Sequence, residues 1–91
     1  MKELQILMMP AFKRSYKKMH GNQQSAVEQA VEVIKTNPEI GEAKKGDLSG
    51  VIVYKFNCTG QQMLLAYEYD PETRILLALG VHENFYRDLK R

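Results

Sequence analysis

The hydrophobic period of this chain changes once, and that change limits its fold more than any other feature. Between Pro10 and Asn37 the apolar residues recur every three or four positions, the spacing of a helix face. From Val51 to Leu79 they come in dense β-branched and aromatic runs broken by turn residues. Such a chain lays down its helices before most of its sheet, and neither layer can bury its apolar side alone.

The elements follow from local chemistry. Leu4 to Met9 reads as a short strand, and Pro10 suits the first turn of the helix behind it. Phe12, Tyr16 and Met19 then mark one helix face and predict core positions, with Lys13, Arg14, Lys17 and Lys18 on the wet side. Gly21 suits a left-handed helix cap, and Ser25 with Glu28 has the capping-box spacing that predicts a second helix starting there. Val27, Ala30, Val31 and Ile34 form its apolar stripe, and Asn37-Pro38 closes it. A loop runs from Pro38 to Gly50. Three strands follow, Val51–Phe56, Gln62–Tyr69 and Arg74–Leu79, separated by turns at Cys58–Gln61 and Asp70–Thr73. Asn84 to Lys90 is long enough for one or two further helical turns.

The expected order is β-α-α-β-β-β with a short C-terminal helix: an α+β fold in which a two-helix hairpin packs on a mostly antiparallel four-stranded sheet. The second face of that sheet is expected to stay wet. The 91 residues suffice for one domain spanning 1–91, and no linker separates a second. No segment approaches the roughly 20 apolar residues of a membrane span, and the start lacks a signal peptide, so a cytoplasmic protein is expected. The single cysteine, Cys58, excludes an internal disulfide framework and a cysteine metal cluster, and it is expected to be a bystander thiol. A net charge of +2 is well short of the basic domains that hold nucleic acid by charge alone.

The chemistry-bearing residues gather at the end. The apolar run Ile75 to Leu79 stops at Gly80, His82 follows, and Tyr86 comes four residues later. His82 titrates near neutrality and Tyr86 can donate a hydrogen bond or a proton. Upstream, Lys55 interrupts the first strand of the meander with a cation.

With its element order, the stretch Gly46–Phe56 and the run Leu77-Ala78-Leu79-Gly80-Val81-His82-Glu83-Asn84-Phe85-Tyr86, the chain resembles the RelE/ParE superfamily. These are the toxins of bacterial type II toxin–antitoxin modules. The resemblance covers essentially the whole chain and is strongest to a ParE-like branch ending in a similar His-Glu-Asn-Phe-Tyr run. It implies a RelE-like fold and a cognate antitoxin as partner, and no cofactor or metal. It also implies one of two activities. RelE-like members cut messenger RNA in the ribosomal A site; ParE-like members inhibit DNA gyrase and cut nothing.

For RNA cleavage the resemblance assigns proton transfer to His82 and Tyr86 and phosphate contact to Lys55. Metal-free cleavage needs a proton taken from a 2′-OH, charge stabilised on phosphate and a proton returned to the leaving oxygen. Phe85 and Arg87 are candidates to stack a base and add charge on the RNA. Gln62 is the third expected RNA contact; it stands where the superfamily's RNA-cutting members carry a strand arginine, which thins the site. The expected function is therefore a toxin that is a ribosome-dependent mRNA endonuclease, with gyrase inhibition through the first helix or the C-terminal segment as the alternative.

Overall fold

The computed structural model describes residues 4–46 and 49–81. Seven elements follow one another: β1 (Gln5–Met8), α1 (Pro10–Lys17), α2 (Gly21–Thr36), β2 (Glu42–Ala43), β3 (Ile52–Cys58), β4 (Gln61–Asp70) and β5 (Thr73–Gly80). The sheet has five strands in the order β1-β5-β4-β3-β2. The expected four-stranded sheet is therefore corrected to five. The added strand, β2, is two residues pairing Glu42 with Val53 and Ala43 with Ile52. It is too short to leave a hydrophobic pattern in the sequence. The meander β3-β4-β5 is antiparallel, and β1 closes the far side parallel to β5. The expected C-terminal helix lies outside the described residues.

The helical layer differs from expectation at one boundary. The second helix starts at Gly21 rather than after Ser25, and Gly21 opens it instead of capping the first helix. Gln23 decides this: its Oε1 accepts the His20 backbone N–H at 3.0 Å, a cap formed five residues upstream of the predicted one. Gln24 then donates its side-chain amide to the Tyr16 carbonyl at 3.0 Å, beside the bond that carbonyl accepts from the Met19 N–H at 3.1 Å, and ties the end of α1 to the start of α2.

The core lies between helices and sheet. Phe12 from α1, Val27, Ala30 and Ile34 from α2, and Met63, Leu65, Tyr67, Leu76 and Leu79 from the strands form one buried cluster, which Tyr16 and Met19 flank. Cys58 belongs to it as a small buried hydrophobe. A bulge places Leu77 as an extra residue in β5, because Ala66 pairs with Ala78 while Tyr67 pairs with Leu76. The bulge turns both Leu76 and Leu79 toward the helices. Tyr67, fully buried, donates its hydroxyl to the Pro38 carbonyl at 2.6 Å and ties the loop after α2 to the sheet. Burial raises its phenol above the ordinary value, so it stays a neutral donor.

Arg74 is the one buried charged side chain among the described residues, 5 % exposed. Among the described residues no carboxylate meets it. Its Nε donates to the Ile34 carbonyl and one Nη to the Lys35 carbonyl, both at 3.0 Å. The other Nη donates to the carbonyls of Asp70 and Thr73 at 2.6 and 3.1 Å. The guanidinium thus caps the negative end of α2 and holds the β4–β5 turn against it. It also lies over the Tyr69 ring, 5.5 Å from the centroid.

Candidate functional site

The face of the sheet away from the main core is not the wet surface expected from the sequence. Val51, Val53, Leu64, Ala66 and Ala78 form a second buried cluster there. Alternation accounts for it: these residues are one period-2 set across β3, β4 and β5, and all of them are apolar. The end of the face away from the β4–β5 turn is polar.

That end contains Lys55. It pairs with Leu64, which on its other side pairs with Gly80, so Lys55, Leu64 and Gly80 form one row across three strands. At ordinary strand spacing the row sets the last residue of β5 roughly 10 Å from Lys55. Asn57 and Gln62 pair with each other one step along, on the same face as Lys55. All three are exposed. Lys55, Asn57 and Gln62 line an open depression of about 320 Å³ together with Phe56 and Gly60. A second depression, about 450 Å³, lies on the other side of Lys55 between Gly41, Glu42 and Val53. Lys55 is the side chain that both share. Among the described residues it makes no ion pair.

Glu42 modulates this ground. Its carboxylate accepts from the Lys44 ammonium at 2.9 Å, and that bond, with the fields of Lys44 and then Lys55, holds the carboxyl below its ordinary value. Glu42 is therefore anionic at neutral pH and committed first to Lys44, which leaves Lys55 available to an incoming anion. Gly41 has a packing role here. A Cβ on it would lie 2.7 Å from the Ile52 Cγ2 and 2.8 Å from the Val53 carbonyl oxygen, so only glycine lets β2 lie flat on β3.

Of the six residues expected to form a site, the structure brings Lys55 and Gln62 together. His82, Phe85, Tyr86 and Arg87 lie outside the described residues. Sequence reasoning missed Asn57, which shares the parity of Lys55 and faces Gln62; reading β3 by alternation finds it.

A different concavity opens on the helix side. Ile6 and Met8 of β1, Phe12 of α1, and Val27 and Val31 of α2 line an apolar groove of about 240 Å³. Glu28 and Glu32 rim it, and the Tyr16 hydroxyl donates to Glu28 across it. That hydrogen bond is the chief reason the Tyr16 phenol is raised above its ordinary value. The groove adjoins β1, which among the described residues pairs on one side only. Gln5 N–H goes to the Glu72 carbonyl and Met9 N–H to the Leu76 carbonyl. The alternation of a parallel ladder then turns the backbone groups of Ile6 and Met8 outward. Leu7, Met8 and Met9 are 48, 45 and 44 % exposed there.

This architecture is an α+β domain with two helices packed on a mixed five-stranded sheet. The chain belongs to the family of ParE-like toxins of type II bacterial toxin–antitoxin systems, whose model matches residues 6–90. Its fold is similar to that in the toxin–antitoxin complex RelBE2 from Mycobacterium tuberculosis, at 18 % identity and a TM-score of 0.73, covering 88 % of this chain and 99 % of that one. It is similar also to the YoeB dimer of Staphylococcus aureus, at 19 % identity and TM-score 0.70 over 88 % of this chain and 98 % of that one. The intact RelBE toxin–antitoxin complex of E. coli gives 13 % identity and TM-score 0.69 over 88 % and 98 %. No curated protein matches the chain in sequence. No helix among the described residues is long and apolar enough to cross a membrane.

Proposed function

We propose that this toxin is a metal-independent, ribosome-dependent mRNA endonuclease acting on the polar end of the sheet. The observation that carries the proposal is Lys55, an exposed cation without an ion pair among the described residues, in the row that ends at Gly80. A cation there can hold a phosphate, and Gln62 and Asn57 add neutral hydrogen-bonding groups beside it. His82, two residues beyond Gly80, is assigned proton transfer and Tyr86 the complementary proton or stacking role; Phe85 and Arg87 complete the RNA contact. The likeness of fold to RelE and YoeB toxins supports the same branch of the superfamily.

Induction of the toxin should stop translation at once, with new mRNA 5′ ends mapping within the ribosomal A site, and His82→Ala should abolish both. Filamentation and an SOS response without mRNA cuts would instead identify gyrase as the target and overturn the proposal. A His82→Ala protein as toxic as the parent would remove the assigned role.

The partner is a cognate antitoxin, and the apolar groove is assigned to it together with the β1 edge, which no described strand pairs. An extended segment pairing with Ile6 and Met8 lays alternate apolar side chains into the groove. Glu28 and Glu32 on the rim call for a lysine or arginine beside those apolar anchors. Met8→Glu adds a third carboxylate at the edge and should weaken the complex at least tenfold in a titration, with the fold of the toxin intact by circular dichroism. Unchanged affinity would place the antitoxin elsewhere.

A further inference from the structure

The geometry points to α1 as a second, separate RNA surface: we infer that Lys13, Arg14, Lys17 and Lys18 grip the phosphate backbone of structured RNA without reading its sequence. The four lie within about 140° of the helix circumference at 3.6 residues per turn, so they form one face. All four are exposed, and none has an ion pair or a side-chain hydrogen bond among the described residues. The first turn of α1 contains no acid. The carboxylates of the neighbouring helix are engaged elsewhere, Glu28 by Tyr16 and Glu32 by Lys35 at 3.2 Å.

A solvated helix face does not need this arrangement. Lys13 with Lys17 and Arg14 with Lys18 are both like-charge pairs four apart, which weaken a helix. The helix dipole favours cations in the last turn, where Arg14 and Lys17 lie, but does not account for Lys13. The stretch from Lys13 to Lys18 also lacks an exposed aromatic or apolar anchor. Interfaces with proteins are depleted in lysine and built around such anchors, whereas phosphate contacts need only spaced cations.

Placement strengthens the case. β1 runs from its pairing with Thr73 to its pairing with Leu76, so α1 starts at the end of the sheet away from the β4–β5 turn. The acids Glu68, Asp70 and Glu72 are gathered at that turn. The basic helix therefore shares an end of the molecule with Lys55; Phe12 seats it in the main core, Ala11 reaches the second cluster, and Lys55 lies on the face of that second cluster. A single substrate strand at Lys55 does not account for cations on the other side. A toxin set into a large folded RNA meets phosphates on both. The inference rests on the RNA-cleavage proposal for the kind of polyanion it selects.

The test is binding of the purified 91-residue chain to a fluorescein-labelled 20-base-pair RNA duplex, by anisotropy from 50 to 300 mM NaCl. Four phosphate contacts predict a log–log salt slope near −3, at roughly −0.7 to −0.9 per contact. K13Q/R14Q/K17Q/K18Q should lose at least tenfold in affinity at about 100 mM salt and most of that slope. K13R/K17R/K18R should retain both, which shows that charge and not packing is read. A quadruple variant binding the duplex like the parent overturns the inference. So does a parent that prefers poly-L-glutamate to the duplex, since the surface would then fit an acidic protein. No cleavage is measured, so the endonuclease proposal fails on absent mRNA cuts while this one fails on an unchanged slope.

Discussion

Replacing Arg74 with methionine is expected to lower the unfolding free energy by about 3–4 kcal/mol, the largest stability effect of any single polar side chain in the described fold. Four hydrogen bonds end on this guanidinium, and two of their acceptors, Ile34 and Lys35, are carbonyls at the C-terminal end of α2. Hydrogen bonds to a charged donor are worth roughly 1.5–3 kcal/mol each, but they are not additive. The carbonyls of Asp70 and Thr73 lie at a turn, where water can replace the lost donor. The helix-end pair has the guanidinium packed over it, so most of the loss falls there. Methionine retains the length and apolar stem, which makes it the cleaner probe; alanine adds a cavity. Lysine brings one compact ammonium that cannot span Ile34 and Asp70 together, so it should restore only part of the stability. At about 4–8 °C per kcal/mol for a domain of this size, the methionine variant should melt some 12–30 °C below the parent. Equal melting temperatures would mean that α2 ends without needing this cap.

Arg74 also shows where sequence stops short of structure. Alternation places Arg74 and Leu76 on the same side of β5, so an arginine in register with a core leucine was a visible oddity. Its partners were not visible, because Ile34 and Lys35 lie about forty positions away. The helical stripes and the three-strand meander were legible because each is written in local periodicity. The parallel pairing of β1 with β5 and the two-residue β2 were not, since both depend on where distant segments meet. The start of α2 was misplaced because two capping patterns compete within six residues, and Gln23 rather than Glu28 supplies the cap. The second face of the sheet was expected to be wet, although Val53, Leu64, Ala66 and Ala78 share one parity; the apolar runs were assigned to a single core when they serve two. At the site, alternation alone places Asn57 on the face of Lys55, and the strand register then adds Gln62.

Lys55→Ala is expected to reduce mRNA cleavage by about 10²–10³-fold, the loss typical of removing one preorganised group that stabilises charge in a transition state. Stability should hardly change, within about 0.5 kcal/mol, because the side chain is exposed and makes no ion pair among the described residues. That separation makes the variant informative: a toxin that folds, binds its antitoxin and fails to cut has lost chemistry and not structure. Lys55→Arg keeps the charge but replaces a point cation with a broader fork, and should retain activity within roughly tenfold of the parent. Gln62→Ala removes a neutral hydrogen-bonding group from the same depression and should cost less than Lys55→Ala, since an uncharged donor contributes about half as much as a charged one. The order expected in a primer-extension assay is therefore parent, then Lys55→Arg and Gln62→Ala, then Lys55→Ala well below both. Cleavage by Lys55→Ala at the parental rate would detach the polar end of the sheet from the chemistry. The Lys55–Leu64–Gly80 row would then be a structural seam that happens to carry a cation.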